Sequence, residues 1–193
     1  SLVEIGGEWY IFYHRHTNGS WFCRQGCAER IELSADGSFA QAELTSCGLN
    51  GGPLKGEGEY PAYLACHLFT EEDSIYVGGD QFPKIMQEGR DGDEELGYVA
   101  NMEHGATAGF KYFDCQGIRR ITIWTRGYAK GTFEVRMAWD GPVVAEIPIE
   151  FSNVWESYTA KADIPDGIHA LYFTFSGNGN ASFRSFRLEH DLT

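Results

Sequence analysis

The chain has 193 residues, 15% of them aromatic, with 24 glycines and a formal charge of −13. That length suits one ordinary domain, or a domain with an appendage. The acidity argues against nucleic-acid partners and anionic membranes, and leaves uncharged polar ligands such as carbohydrates as a compatible class.

The first element is the strand Trp9–His16, aromatic on both faces (Trp9-Tyr10-Ile11-Phe12-Tyr13-His14). A run of that kind reads as an interior strand covered on both sides. It needs a partner layer that nothing before it supplies, so the chain reads as the tail of something larger. Asn18-Gly19 predicts a tight hairpin turn, because both positions suit positive φ. A second strand, Trp21–Leu33, is expected to bulge near Gly26. Asp36-Gly37 turns the chain again into a third strand, Phe39–Ser46.

Residues 47–83 read as a connector. Cys47-Gly48-Leu49-Asn50-Gly51-Gly52-Pro53 is too rich in Gly and Pro for regular structure. Pro61 heading Ala62–Leu68 suggests a short helix with proline in its first turn. Asp80-Gln81-Phe82-Pro83 marks the next boundary.

From residue 84 onward, strand signals recur about every ten residues between turn residues. The expected strands are Phe110–Asp114, Ile118–Thr125, Thr132–Trp139, Val143–Ile149, Trp155–Ala162, Ala170–Ser176 and Ser182–Leu188. Phe133, Val135, Met137 and Trp139 alternate with Glu134 and Arg136, and Leu171, Phe173 and Phe175 share one face. Asp140-Gly141 and Asp166-Gly167 supply turns. The expected fold is all-β: a partial propeller blade of three antiparallel strands (1–46), a Gly-rich connector (47–83) and a jelly-roll β-sandwich (84–193).

The five cysteines match neither a disulfide framework nor a zinc spacing. Reduced thiols point to a reducing compartment, and lean towards the cytoplasm over secretion. No secretory signal is read, and no apolar stretch is long enough to span a bilayer.

These residues together resemble a known pairing. Trp9–His14, Arg24, Glu29 and Asp36-Gly37 are similar to the closing blade of the five-bladed propeller of glycoside hydrolase family 43. Leu96-Gly97-Tyr98-Val99, Trp155, Asp166-Gly167-Ile168-His169 and Asn180 resemble a carbohydrate-binding module of family 6. The resemblance covers nearly the whole chain. It implies a sugar cleft built from two aromatics and an amide, here Tyr98, Trp155 and Asn180. Aromatic faces stack on the C–H face of a sugar ring while the amide meets hydroxyls. It also implies a structural calcium ion, for which Glu88 is the candidate ligand. The usual acid pair and the C-terminal Asp are missing, since Ser182-Phe183-Arg184-Ser185 stands there; Asp91, Asp93, Glu94 and Glu95 read as a solvated turn.

The family's catalytic carboxylates come from earlier blades, so this chain is expected to be inactive alone, and no cofactor is required. His14 and Arg24 are its accessory candidates in a parent xylosidase or arabinofuranosidase. The expected partners are plant cell-wall polysaccharide (xylan or arabinoxylan), the preceding propeller blades, and a second copy through exposed strand edges. Two rivals stand beside this reading: a sandwich that only braces the propeller, and a small glycosidase site using Glu29 and Asp114. A zinc set from His14, His16, Cys23 and Cys27 is poorly spaced for tetrahedral binding.

Overall fold

A computed structural model describes residues 1–20, 22–70, 82–88 and 96–191. Among the described residues, helical content is limited to two 3₁₀ turns, Gly48–Asn50 and Ala62–Leu64; the rest of the regular structure is strand.

A three-stranded antiparallel sheet opens the chain, in the order β1 (Leu2–Ile5), β2 (Glu8–Arg15), β3 (Gln25–Ile31). The β2–β3 register runs without a break from Trp9↔Ile31 to Arg15↔Gln25, so the expected bulge at Gly26 is absent. Three strands were expected, but the third is Leu2–Ile5. Phe39–Ser46 forms no strand; it has an isolated bridge, Leu33↔Phe39, and meets the sheet through the Trp9–Phe39 ring contact and the Thr45 bonds to Glu29. Its backbone bonds elsewhere: Ser46 N–H donates to Lys111 O at 2.5 Å. Nor is β2 covered on both sides. Tyr10 is buried, Trp9, Phe12 and Tyr13 are half-buried, and His14 is exposed.

Asn18-Gly19 does not close a two-residue hairpin. Arg15 pairs with Gln25, so the connection between the two strands is longer than two residues. Asn18 points across to the sandwich instead, where its Nδ2 donates to Ile85 O at 2.7 Å and Ile85 N–H donates to Thr17 O at 2.6 Å. A side chain that satisfies backbone groups of another element outweighs the local turn preference. The expected strand start at Trp21 lies outside the described residues.

The connector is not a linker. It inserts strands into the sandwich: β4 (Leu54–Lys55) runs parallel to the strand Thr107–Cys115, β5 (Gly58–Pro61) pairs with the strand Gly167–Glu189, and β6 (His67–Phe69) pairs with Thr107–Cys115. Pro61 precedes the 3₁₀ turn at Ala62–Leu64, so the expected helix shrinks to one turn. Ala62 and Ala65 there are buried in the core.

The remaining strands are β7 (Lys84–Glu88), β8 (Leu96–Met102), β9 (Thr107–Cys115), β10 (Arg120–Arg136), β11 (Val143–Ile149), β12 (Ser152–Lys161) and β13 (Gly167–Glu189). The two pairs of strands expected around Thr125/Thr132 and Ser176/Ser182 are single long strands. β10 and β13 pair antiparallel from Arg120↔Glu189 to Arg136↔Tyr172. The first half of β10 pairs with β12 and the second with β11. The first half of β13 pairs with β9, and the second with β8 and β5. This ribbon must fold over on itself. Phe173 and Phe183 are ten residues apart, roughly 33 Å along an extended strand, yet their ring centroids are 5.3 Å apart.

Glycines make the fold-over possible. Gly127 (φ 135°) and Gly179 (φ 84°) face each other's strands at the bend. A Cβ on Gly179 would lie 1.8 Å from Tyr128 O, and one on Gly127 2.4 Å from Asn180 O. Only glycine tolerates both the dihedral and the approach. Inside the fold lies a phenylalanine core in which Phe110, Phe133, Phe173, Phe183 and Phe186 are fully buried. Phe110 meets Phe186 edge-on at 4.8 Å, an arrangement aromatic quadrupoles favour. Leu171, Phe173, Phe175, Phe133 and Val135 lie on the core face, as the alternation predicts. Trp139, placed on that face by sequence, is half exposed because β10 ends at Arg136.

Candidate functional site

Three groups of side chains define the candidate sites. The first lies on the face of β8, β10 and β12. Tyr98 and Trp155 meet with ring centroids 5.6 Å apart and planes at 67°. The sequence reading paired these two residues, and the structure brings them together. It also adds Arg126, which that reading missed. The Arg126 guanidinium lies 4.5 Å from the Trp155 ring centre and 5.5 Å from that of Tyr98, and Arg184 stands 5.9 Å from Trp155. Arg126 is hydrogen-bonded and ion-paired to Glu88 on β7, which holds its guanidinium above the usual arginine value. The strand pattern contained the signal for Arg126, a cation on a polar face, but not its reach across two rings.

Glu88 is therefore engaged by a cation of the protein's own. Among the described residues, no group of three or more His, Cys, Asp or Glu is placed to hold a metal ion. Calcium prefers six to eight oxygens, several of them carboxylate. A carboxylate bridged to Arg126, with Arg184 in the sequence where the resemblance expects an acid, does not fit that need. Asp91, Asp93, Glu94 and Glu95 lie outside the described residues.

The second group surrounds Asn180, which does not join the Tyr98–Trp155 pair. Its Nδ2 donates to Glu103 Oε1 at 3.0 Å and to Asn101 Oδ1 at 3.3 Å. Its ladder partner is Tyr128, which is 79% exposed. Tyr128 stacks on Phe151, 52% exposed, with centroids 4.7 Å apart and planes tilted by 31°. Neither aromatic was singled out from sequence; each sits at a strand bend or loop, where periodicity is silent.

The third group joins the opening sheet to the sandwich. Glu29, only 4% exposed, accepts from Tyr13 Oη at 2.9 Å, Thr45 N–H at 2.8 Å and Thr45 Oγ1 at 2.5 Å. Burial, followed by this hydrogen bond, raises the Tyr13 phenol above its usual value. Glu43 accepts from Tyr112 Oη at 2.7 Å and Lys111 Nζ at 3.0 Å, and these donors hold its carboxyl below the usual carboxylate pKa. Arg24 is exposed and has no ion-pair partner among the described residues. It lines a groove with Gln25 and Tyr63, where Gln25 Nε2 donates to Tyr63 O at 2.9 Å. His14 is exposed, with His16 edge-on at 6.2 Å. All five cysteines are free.

No family model matches the sequence. A xylosidase/arabinosidase of Thermoclostridium stercorarium is 59% identical over 194 residues, covering 97% of this chain and 41% of that relative. The chain thus spans about two fifths of the relative's length. A glycoside hydrolase family 43 arabinoxylan arabinofuranohydrolase from Bacillus subtilis, solved with cellotetraose, shares the fold with a TM-score of 0.61 at 18% identity, over 98% of this chain and 40% of that one. The module CsCBM6-3 from Clostridium stercorarium, solved with cellobiose, has a TM-score of 0.58 at 14% identity, over 73% of this chain and 99% of the module. A family 6 carbohydrate-binding module from Clostridium cellulolyticum, solved with xylose, has a TM-score of 0.56 at 14% identity, over 70% of this chain and 99% of the module. The resemblance read from the sequence is borne out: a blade of the family 43 type followed by a sandwich of the family 6 module type.

Proposed function

We propose that this chain is the non-catalytic C-terminal part of a modular glycoside hydrolase, and that its sandwich holds the parent enzyme on plant cell-wall polysaccharide of the xylan or arabinoxylan class. One observation carries the reading: the sandwich matches nearly the full length of a free-standing module solved with cellobiose. The printed name of the 59% identical relative, a xylosidase/arabinosidase, supports the choice of polysaccharide. The charge of −13 suits a neutral ligand.

Tyr98, Trp155 and Asn180 remain the binding residues that the resemblance suggests, with Asn180 set apart from the two rings. Catalysis by Glu29 and Asp114 has no support in their surroundings. Glu29 is held by three donors, while Asp114 lies on β9 and accepts from Gln116 at 2.9 Å. His14 and Arg24 would serve the parent enzyme only.

Affinity electrophoresis tests the reading. The chain is expected to be retarded in gels containing arabinoxylan or xylan, and to release no aryl group from aryl xylosides or arabinosides. Migration unchanged in every polysaccharide would sink the binding claim, and aryl glycoside turnover would sink the non-catalytic one.

A bracing role is a second reading, favoured by the joint between sheet and sandwich. Asn18 to Ile85, Gln25 to Tyr63, and Arg15 Nη1 to Ala65 O at 3.3 Å tie the two together. It predicts no retardation in any gel, with a loss of thermal stability when these bonds are removed.

A further inference from the structure

The geometry points to Tyr128 and Phe151, flanked by Asn180, Asn101 and Glu103, as the saccharide-stacking platform of this sandwich, in place of Tyr98 and Trp155. This inference rests on the carbohydrate-binding reading above and names the residues and ligand class of its site.

Two large rings left in water side by side are uncommon on a protein surface without a partner. Tyr128 is 79% exposed and Phe151 52%, and they stack at 4.7 Å. Stacked rings leave no room for a sugar between them, so the free outer face is the one on offer.

Polar groups sit on the same side. Tyr128 and Asn180 are direct cross-strand partners, and such partners project to one face with Cβ atoms roughly 5 Å apart. Asn180 spends its Nδ2 on Glu103 and Asn101, which orients the three side chains as one cluster. Asn180 Oδ1 has no hydrogen-bond partner among the described residues. The cluster offers acceptors beside a flat apolar face, the combination that receives ring hydroxyls while C–H groups stack. A carboxylate among those acceptors favours a neutral saccharide over a uronic acid.

The backbone beneath is held in place. Tyr128 and Asn180 flank the bend, where Gly179 approaches Tyr128 O too closely for any other residue. The alternative rings are already occupied. Arg126 covers Trp155 and Tyr98, pinned there by Glu88, so a sugar stacking on them would have to displace a guanidinium in an ion pair.

Isothermal titration of xylohexaose, cellohexaose and soluble arabinoxylan into the unaltered chain, Tyr128→Ala, Phe151→Ala and Tyr128→Phe tests this, with thermal unfolding measured alongside. Both positions are exposed, so the alanine variants are expected to unfold at the unaltered temperature while their Kd rises about tenfold. Tyr128→Phe keeps the ring and is expected to bind as the unaltered chain does. Unchanged affinity in both alanine variants overturns the platform and leaves the carbohydrate reading standing. If the unaltered chain binds none of the three sugars, the reading and the platform fall together.

Discussion

At the scale of single residues, buried thiols and an arginine clamp set clear expectations. Cys66 and Cys115 are buried, and burial pushes both thiols up to about 11. Cys23 is exposed. Ellman's reagent at pH 8 is expected to titrate Cys23 in the native chain, and Cys66 and Cys115 only after unfolding. The same shifts carry a pH dependence. The folded state favours the neutral thiols, so their contribution is complete below the ordinary value of 9.0 and is lost as pH rises towards about 11. Denaturant midpoints are expected to fall across that window, with the Cys66→Ala variant showing a shallower fall. The Arg126 clamp gives a second expectation. Arg126→Met removes the contacts to Trp155 and Tyr98 and leaves Glu88 unpaired, at a cost of about 1 kcal/mol, or ~2–4 °C in Tm. Millimolar calcium or a chelator is expected to leave the unaltered chain's Tm where it was; stabilisation by calcium would show that a metal competes for Glu88.

At the scale of elements, the bent ribbon of β10 and β13 decides the sandwich. Each strand serves both layers, so its bend must form for either layer to close. Gly179→Ala places a methyl group against Tyr128 O at a φ of 84°. The expected cost is more than about 1 kcal/mol, read as a lower denaturant midpoint. Gly52→Ala, where nothing lies within 4 Å and φ is not positive, is the control and is expected to leave the midpoint unchanged. Composition flagged glycines as turn residues but not which pair would let two strands cross from one layer to the other. That depends on cross-strand distance, which no local pattern encodes.

At the scale of the whole molecule, the opening sheet and the sandwich are joined by hydrogen bonds rather than by a shared core. The core cluster begins at Ala62 and contains no residue of β1, β2 or β3. Glu29 is the keystone of the joint, because Thr45 begins the segment that leads to Lys111 and the sandwich. Glu29→Leu leaves the Tyr13 and Thr45 donors unpaired, and each buried orphan costs roughly 1–3 kcal/mol. Limited proteolysis is expected to cut this variant within residues 1–46 first, leaving a resistant sandwich. β1 is an edge strand with Leu2, Val3 and Ile5 exposed. An unpaired apolar edge recruits another strand. Light scattering is expected to show concentration-dependent dimers, which Val3→Lys suppresses.

The sequence by itself determined the all-β class, the Val143–Ile149 strand to the residue, and the inward faces of Phe133, Val135, Leu171, Phe173 and Phe175. Alternation in a half-buried strand is a local property, written in the order of side chains. It also paired Tyr98 with Trp155, through resemblance. Only the tertiary structure decided that Leu2–Ile5 rather than Phe39–Ser46 completes the sheet, and that the Gly-rich connector supplies three sandwich strands. It likewise decided that Arg126 covers the predicted rings, while Asn180 stands beside Tyr128 and Phe151. Each of these depends on which distant backbone groups find partners and which surfaces come within a few ångströms. Long-range pairing chooses among segments of equal local propensity, and that choice is made by the folded whole.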